Sequence, residues 1–266
     1  GKSTFLDVLK ALLGEKSYST VSLSKLHKEF SVVIMDGKLA NICEETPNDE
    51  INAEVFKAIV GGGEVQAARK GFDEFTLRVN ARFIFACNDM PIFKDKSLGL
   101  EDRLMFLPFT VYIPEDQRDT NIKQKLFAEI PGILNWAVEG IKMILADRSI
   151  GTVAASFEMK EQYRLETDPL YAWFKENITI DKSAQDISNT ELYGKYTSDC
   201  EADGHRPYGK DKFAKRLKIM IEAECHARKI VFDNDYRFYD VNGRRFRGFR
   251  NIRYGFVPQV EVKKYP

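Results

Sequence analysis

Gly1-Lys2-Ser3-Thr4-Phe5-Leu6-Asp7-Val8-Leu9-Lys10-Ala11-Leu12-Leu13-Gly14 is the stretch on which the fold turns. Phe5, Leu6, Val8, Leu9, Leu12 and Leu13 recur close to helical spacing and Gly14 supplies a stop, so a helix is expected over Thr4 to Leu13. Gly-Lys-Ser-Thr ahead of a helix matches the end of the GxxxxGK[ST] phosphate-binding loop, where backbone N–H groups and the helix dipole favour phosphate. In that role Gly1, Lys2, Ser3 and Thr4 form the nucleotide-binding set. Lys2 reaches the β- and γ-phosphates of ATP and Ser3 ligates Mg²⁺. The same four residues also occur in ordinary surface turns, so the motifs farther along the chain decide between the two.

Working outward, Ser22 to Phe30 reads as a helix, and Lys38 to Cys43 as a short buried strand ending on Glu44 and Glu45. Adjacent carboxylates at a strand end suit a Mg-nucleotide site: one holds the metal and its waters, the other orients or deprotonates the attacking water. The competing reading is a solvated strand end capping the next helix. Asn52 to Val60 reads as a helix closed by Gly61, Gly62 and Gly63. Glu64 to Ala68 and Phe75 to Val79 then form two extended arms around a basic, aromatic tip, Arg69-Lys70-Gly71-Phe72-Asp73. That is a β-hairpin. A second buried strand, Arg82 to Cys87, ends on Asn88, whose amide either senses the γ-phosphate or lytic water or merely makes a turn before Asp89-Met90-Pro91. A third strand is expected at Leu104 to Phe109 after Arg103, then helices at Asp119 to Ile130 and Pro131 to Ala146, the latter with Trp136 and Ile141 facing inward. Alternating strands and helices make this an α/β nucleotide-binding core.

A small, polar run at Gly151 to Ser156 places a linker near residue 151. The domains expected are an ATPase core over 1–150, a helical linker over 151–188 and a winged-helix-like domain over 189–266. The last rests on helices at Thr190 to Ala202 and Lys210 to Ala223, followed by extended pieces at Ile230 to Tyr239 and Phe249 to Val257. Lys210, Lys212, Lys215, Arg216 and Lys218 lie on or beside the second helix, where such a domain carries its recognition helix. Arg244, Arg245, Arg247, Arg250 and Arg253 mark a basic wing. A solvated basic helix face is the plainer alternative.

The 40 basic and 40 acidic residues cancel, which argues against a protein that coats nucleic acid indiscriminately. From His205 onward basic residues outnumber acidic ones about two to one, so any footprint is local. Cys43, Cys87, Cys200 and Cys225 show no metal or redox spacing and read as reduced, mostly buried thiols. His27, His205 and His226 have no mutual spacing that suggests a site. No apolar run is long enough for a membrane span and no signal peptide is visible, so a cytoplasmic chain is expected.

Several stretches, in this order, resemble the C-terminal superfamily 3 helicase part of phage and plasmid primase-helicases, related to the poxvirus primase-helicase. They are Asp36-Gly-Lys-Leu-Ala-Asn-Ile-Cys-Glu-Glu45, Phe56 to Lys70, Phe83-Ile-Phe-Ala-Cys-Asn-Asp-Met-Pro91, Gly99 to Phe109 and Gly132 to Gly140. The resemblance covers roughly the first 145 residues well and the remainder loosely. It implies an AAA+ (P-loop NTPase) ATPase that forms a homo-oligomeric ring, usually a hexamer, and moves 3′ to 5′ on single-stranded DNA at replication forks, in a bacterial host cytoplasm. It also implies that Arg103 reaches the γ-phosphate held by a neighbouring subunit, and that the hairpin grips DNA through Lys70 first, Arg69 second and Phe72 against a sugar or base.

The family loop begins with a strand ahead of Gly1, so the core is expected to lack its first strand and this polypeptide to hydrolyse ATP poorly. Two alternatives stay open. One is a non-enzymatic DNA-binding or initiator fragment on an inactive ATPase scaffold. The other is an AAA+ ATPase acting on protein, disfavoured by the basic hairpin tip.

Overall fold

The structure, a computed structural model, describes residues 1–44, 51–91, 93, 100, 102–151, 153–181, 184, 186–233, 235–240 and 242–255. The chain divides into two compact units, Gly1–Tyr163 and Arg164–Pro266. The division falls inside the stretch expected to link two domains.

In the first unit, helix α1 (Lys2–Leu13) lies against a three-stranded parallel sheet of β1 (Tyr18–Ser19), β2 (Ala40–Glu44) and β5 (Arg82–Ala86), in the order β1-β2-β5. Leu6 of α1 packs with Ala40 and Ile42, which is fully buried. The strand expected at Lys38 to Cys43 is therefore present, and Glu44 stands in register with Ala86. β1 is only two residues long because a side chain completes its pairing. Buried Asn41 accepts from Ser19 Oγ and from the Val21 amide, and its Nδ2 donates to the Val21 carbonyl, each at 2.8 Å. A buried amide satisfied on both sides ties this edge where the backbone ladder stops.

Ser22 to Phe30 is not one helix. A 3₁₀ turn at Leu23–Lys25 gives way to extended backbone at Lys28 (φ −93°, ψ 118°) before α2 (Glu29–Val32). Helix α3 (Ala53–Val60) starts where Asn52 accepts from the Glu54 amide and ends at Gly61, as its caps predict. It buries Ala53, Phe56 and Ile59, and Phe56 meets the rings of Phe83 and Phe93 at 6.1 and 5.3 Å. β3 (Glu64–Ala67) and β4 (Phe75–Arg78) pair antiparallel as the expected hairpin.

Two further expectations fail in this unit. Leu104 to Phe109 joins no ladder among the described residues: Pro108 has no N–H to give, and Met105, Leu107 and Phe109 are exposed. Helices α4 (Ile122–Ala128) and α5 (Ile130–Asp147) are present, but Trp136 is 76% exposed and Ile141 55%, and α5 buries no residue. Its apolar residues occupy more than one face, so periodicity does not single out an inner one.

Helix α6 (Ala154–Thr167) crosses the division between the units. The second unit packs α7 (Pro169–Asn177), α8 (Asn189–Ala202) and α9 (Lys210–Ala227) around Leu170, Phe174, Leu192, Tyr196, Phe213 and Leu217. Its strands are β6 (Ile178–Ile180), β7 (Ile187–Ser188), β8 (Arg237–Tyr239), β9 (Arg245–Phe249) and β10 (Ile252–Tyr254). They form an antiparallel β7-β9-β8 sheet and a β10-β6 pair. Gly248 is required where β9 meets β7, since a Cβ there would lie 2.1 Å from the Ile187 carbonyl oxygen. The two expected helices are α8 and α9. Of the extended piece expected at Ile230 to Tyr239 only Arg237–Tyr239 is a strand, and the one expected at Phe249 to Val257 falls on the end of β9 and on β10, its last residues lying outside the described ones; the hairpin is instead β8-β9. β6, β7 and α7 were not foreseen as parts of one core.

Candidate nucleotide and nucleic-acid sites

The N-terminus of α1 carries no side-chain cap and no acidic residue in its first turn. Its amides and dipole are open to an anion. Lys2 sits at this end and folds toward β5, donating to the Cys87 carbonyl at 2.7 Å and to Asn88 Oδ1 at 2.5 Å. Two residues separated by 86 positions, each singled out from sequence, are thus in direct contact. Gly1 and Ser3 are exposed and Thr4 half-buried beside them.

Glu44 ends β2 as the neighbour of β5, exposed at its tip, and is ion-paired with Lys10 of α1. The hydrogen bond to Glu44 raises the Lys10 ammonium above its ordinary value, outweighing the effect of burial. Lys10 had no sequence signal of its own. Glu45 lies outside the described residues. Arg103 is exposed in the turn after Leu100, its amide donating to the Leu100 carbonyl at 3.0 Å. Among the described residues no cluster of three or more His, Cys, Asp or Glu side chains could hold a metal ion. A nucleotide-borne Mg²⁺ takes only one or two protein donors beside phosphate oxygens, and the Ser3 hydroxyl and Glu44 carboxylate are hard oxygen donors of that kind.

At the hairpin tip Lys70 is exposed and Phe72 is 76% exposed, with Gly71 in the left-handed region at φ 81°. Arg69 is engaged elsewhere: it pairs with Asp36 at 2.9 Å and lies 5.5 Å over the Phe75 ring. Asp36 was not foreseen.

In the second unit Lys210, Lys212 and Lys215 are exposed on α9. Lys210 donates to Thr190 Oγ1 at 3.2 Å and Lys212 lies 4.3 Å over Tyr208. Arg216 is different. It is buried and ion-paired with Asp168, itself 1% exposed, which also accepts from the Leu170 and Tyr171 amides at the start of α7. Its position among Phe213, Leu217 and Met220 puts it on the inner stripe of the helix, away from the exposed lysines. On the hairpin, Arg237 and Arg247 share Asp235 at 2.7 and 3.0 Å; beyond it Arg250 covers Tyr236 at 4.3 Å, and on β10 Arg253 pairs with Asp181 at 2.6 Å. The Arg244 and Arg245 side chains are exposed and in no ion pair among the described residues, although the Arg244 amide donates to Asp240 Oδ1 at 2.8 Å.

All four cysteines are free; Cys43, Cys200 and Cys225 are buried, and burial pushes their thiols up. Among the described residues no helix is long and apolar enough to cross a membrane.

Two families match separate parts of the chain, the second beginning at the start of the second unit. Residues 1–103 match a family described as of unknown function (DUF5906), and residues 165–265 match one described as Poxvirus D5 protein-like. The poxvirus likeness thus falls on the second unit, whereas most motifs that suggested it lie in the first. Two solved structures of the NrS-1 C-terminal region, both apo forms, one covering residues 305–718, align over 94% of this chain at 15% and 12% identity with TM-scores of 0.46 and 0.40. The chain spans 64% of the length of each.

Proposed function

We propose that this chain is the motor part of an ATP-dependent DNA helicase of the primase-helicase kind, with an AAA+ core of the superfamily 3 type over 1–150, a helical linker over 151–188 and a winged-helix domain over 189–266. The observation that carries the reading is the contact of Lys2, at the uncapped start of α1, with Asn88 at the end of β5, one strand from Glu44. The Poxvirus D5-like match of the second unit supports it.

Gly1 to Thr4 would receive the β- and γ-phosphates of ATP, with Lys2 turning from Asn88 to the phosphates. Ser3 and Glu44 would hold Mg²⁺, which supplies charge neutralisation between the phosphates when bound. Asn88, released by Lys2, would present its amide to the γ-phosphate or the lytic water, and Glu45 would take the proton from that water. Arg103 would act on the site of a neighbouring copy in a hexameric ring, tying hydrolysis to assembly. Lys70 and Phe72 would engage the backbone and a base of single-stranded DNA. The exposed lysines of α9 with Arg244 and Arg245 would contact DNA near the fork.

The test is DNA-stimulated ATP hydrolysis and strand separation. Lys2→Ala and Glu45→Gln should each abolish unwinding, and Glu45→Gln should leave DNA binding intact. A second reading, a DNA-binding or initiator fragment on an inactive scaffold, is favoured by the self-contained core of the second unit. It predicts that neither substitution changes any function, which would refute the motor.

A further inference from the structure

The contact between Lys10 and Glu44 joins α1 to the last residue of β2, and its meaning rests on the nucleotide-site reading above. Lys10 lies two turns along α1 from Lys2. The packing of Leu6 against Ala40 and Ile42 fixes α1 over β2, which carries Lys10 to the last residue of that strand. The ammonium is 20% exposed and the carboxylate 38%, so the pair is partly withdrawn from water. Lys10 is not alone with one acid. Asp7, on the same helix, is paired with Lys123 at 2.8 Å and leaves Glu44 as the carboxylate that Lys10 holds.

A carboxylate oxygen hydrogen-bonded to an ammonium is not free to bind a second cation, and a fixed positive charge beside it repels a divalent ion. We propose that Lys10 is a positioning residue and a built-in competitor: it holds Glu44 at the end of β2 in the nucleotide-free state and must release it before the carboxylate can turn to Mg²⁺. Lys10 therefore sets the magnesium concentration at which the site accepts its nucleotide. A merely structural strut would have the opposite sign, since losing it would misplace Glu44 and raise the magnesium requirement.

The experiment follows binding of a fluorescent ATP analogue to the whole chain as Mg²⁺ is titrated. Lys10→Met and Lys10→Gln should lower the half-saturating Mg²⁺ by about three- to tenfold, the order expected for removing one unit charge beside a divalent ion at a half-exposed site. Lys10→Arg should stay near the parent value, and Lys10→Met should change nothing when Glu44→Gln is already present. A midpoint unchanged or raised in both neutral variants overturns the proposal and leaves the nucleotide site standing. A parent chain that ignores Mg²⁺, or does not bind the analogue, overturns both together.

Discussion

Replacing Arg216 with Met should destabilise the second unit without touching any exposed cation. The guanidinium is paired with Asp168, and neither group is accessible to water to any useful degree. Breaking a buried ion pair from one side typically costs about 3–5 kcal/mol, because the remaining charge is stranded. Asp168 keeps two acceptances from the α7 amides, at 3.2 and 3.3 Å, which softens the loss, so about 3 kcal/mol is expected here. For a unit of this size that is a fall in Tm of roughly 12–24 °C. Fluorescence of Trp173, 7% exposed in the same core, follows the transition in the intact chain alongside calorimetry. Lys215→Met, on the exposed face, should stay within about 0.5 kcal/mol of the parent and weaken DNA binding instead. Combining Asp168→Asn with Arg216→Met should restore part of the stability, since the stranded charge is gone. An Arg216→Met chain that melts like the parent while losing DNA affinity would refute this assignment and return Arg216 to the DNA-contacting set.

Gly248→Ala should lower the melting temperature of the same unit by forcing β9 from β7, at a cost of about 2–4 kcal/mol, because its Cβ would meet the Ile187 carbonyl oxygen at 2.1 Å and the Phe238 ring at 2.8 Å; an unchanged transition would contradict the β7-β9 register. Burial alone would raise the Glu224 carboxyl, but Lys175 at 2.6 Å and Arg228 outweigh it and hold it below the ordinary range. The pair's stabilisation, under about 1 kcal/mol at this exposure, should be complete above an unfolded-state value of about 4.3 and lost as pH falls through the lower folded value. Urea unfolding of parent and Lys175→Met across that range should show their difference vanishing toward acid. Asp36→Asn should free Arg69 and tighten single-stranded DNA binding, by at most about fivefold since exposed pairs are worth under about 1 kcal/mol. Fluorescence anisotropy showing weaker binding would refute the hairpin's role.

The elements that sequence made legible are those with punctuation at both ends. Asn52 and the glycines at 61–63 bracket α3, and two arms of alternating residues bracket the basic tip, so local chemistry alone defined them. The Lys2–Asn88 meeting was legible only as order along the chain; the parallel pairing of β2 with β5 turned it into proximity. Where apolar residues sit on several faces, as in α5, or a proline interrupts an apolar run, as at Pro108, the pattern did not identify the buried side. Arg216 could have been placed correctly, since it falls on the inner stripe with Phe213, Leu217 and Met220. An arginine there with an Asp-Pro helix start upstream, Asp168-Pro169, is a signal of a buried pair. Lys10 and Asp36 carried no such signal, because their partners are set by tertiary packing.

The balance of charge acquires a physical meaning once partners are known. Lys10, Arg69, Arg216, Lys175 and Arg253 are each matched to a carboxylate within their own unit, and Arg237 and Arg247 share one. Such cations stiffen the fold and are poorly placed to exchange counterions with a polyanion. The side chains of Lys70, Lys215, Arg244 and Arg245 are in no ion pair among the described residues, and they fall on the hairpin tip, the exposed face of α9, and the β8-β9 turn with the first residue of β9. A net charge of zero is therefore compatible with a local footprint, because the neutralised cations and the available ones are different residues. The number of phosphates engaged can be read from salt dependence, each adding about 0.7 to the log–log slope on a single strand. With Lys210 and Lys212, exposed on the same helix and likewise in no ion pair among the described residues, six cations make the footprint, so the slope should be about −4, and each charge-removing substitution among them should reduce it by about 0.7. Substituting Arg253, already paired with Asp181, should leave the slope unchanged; a slope that fell equally for both classes would mean that internal pairing does not decide which cations meet DNA.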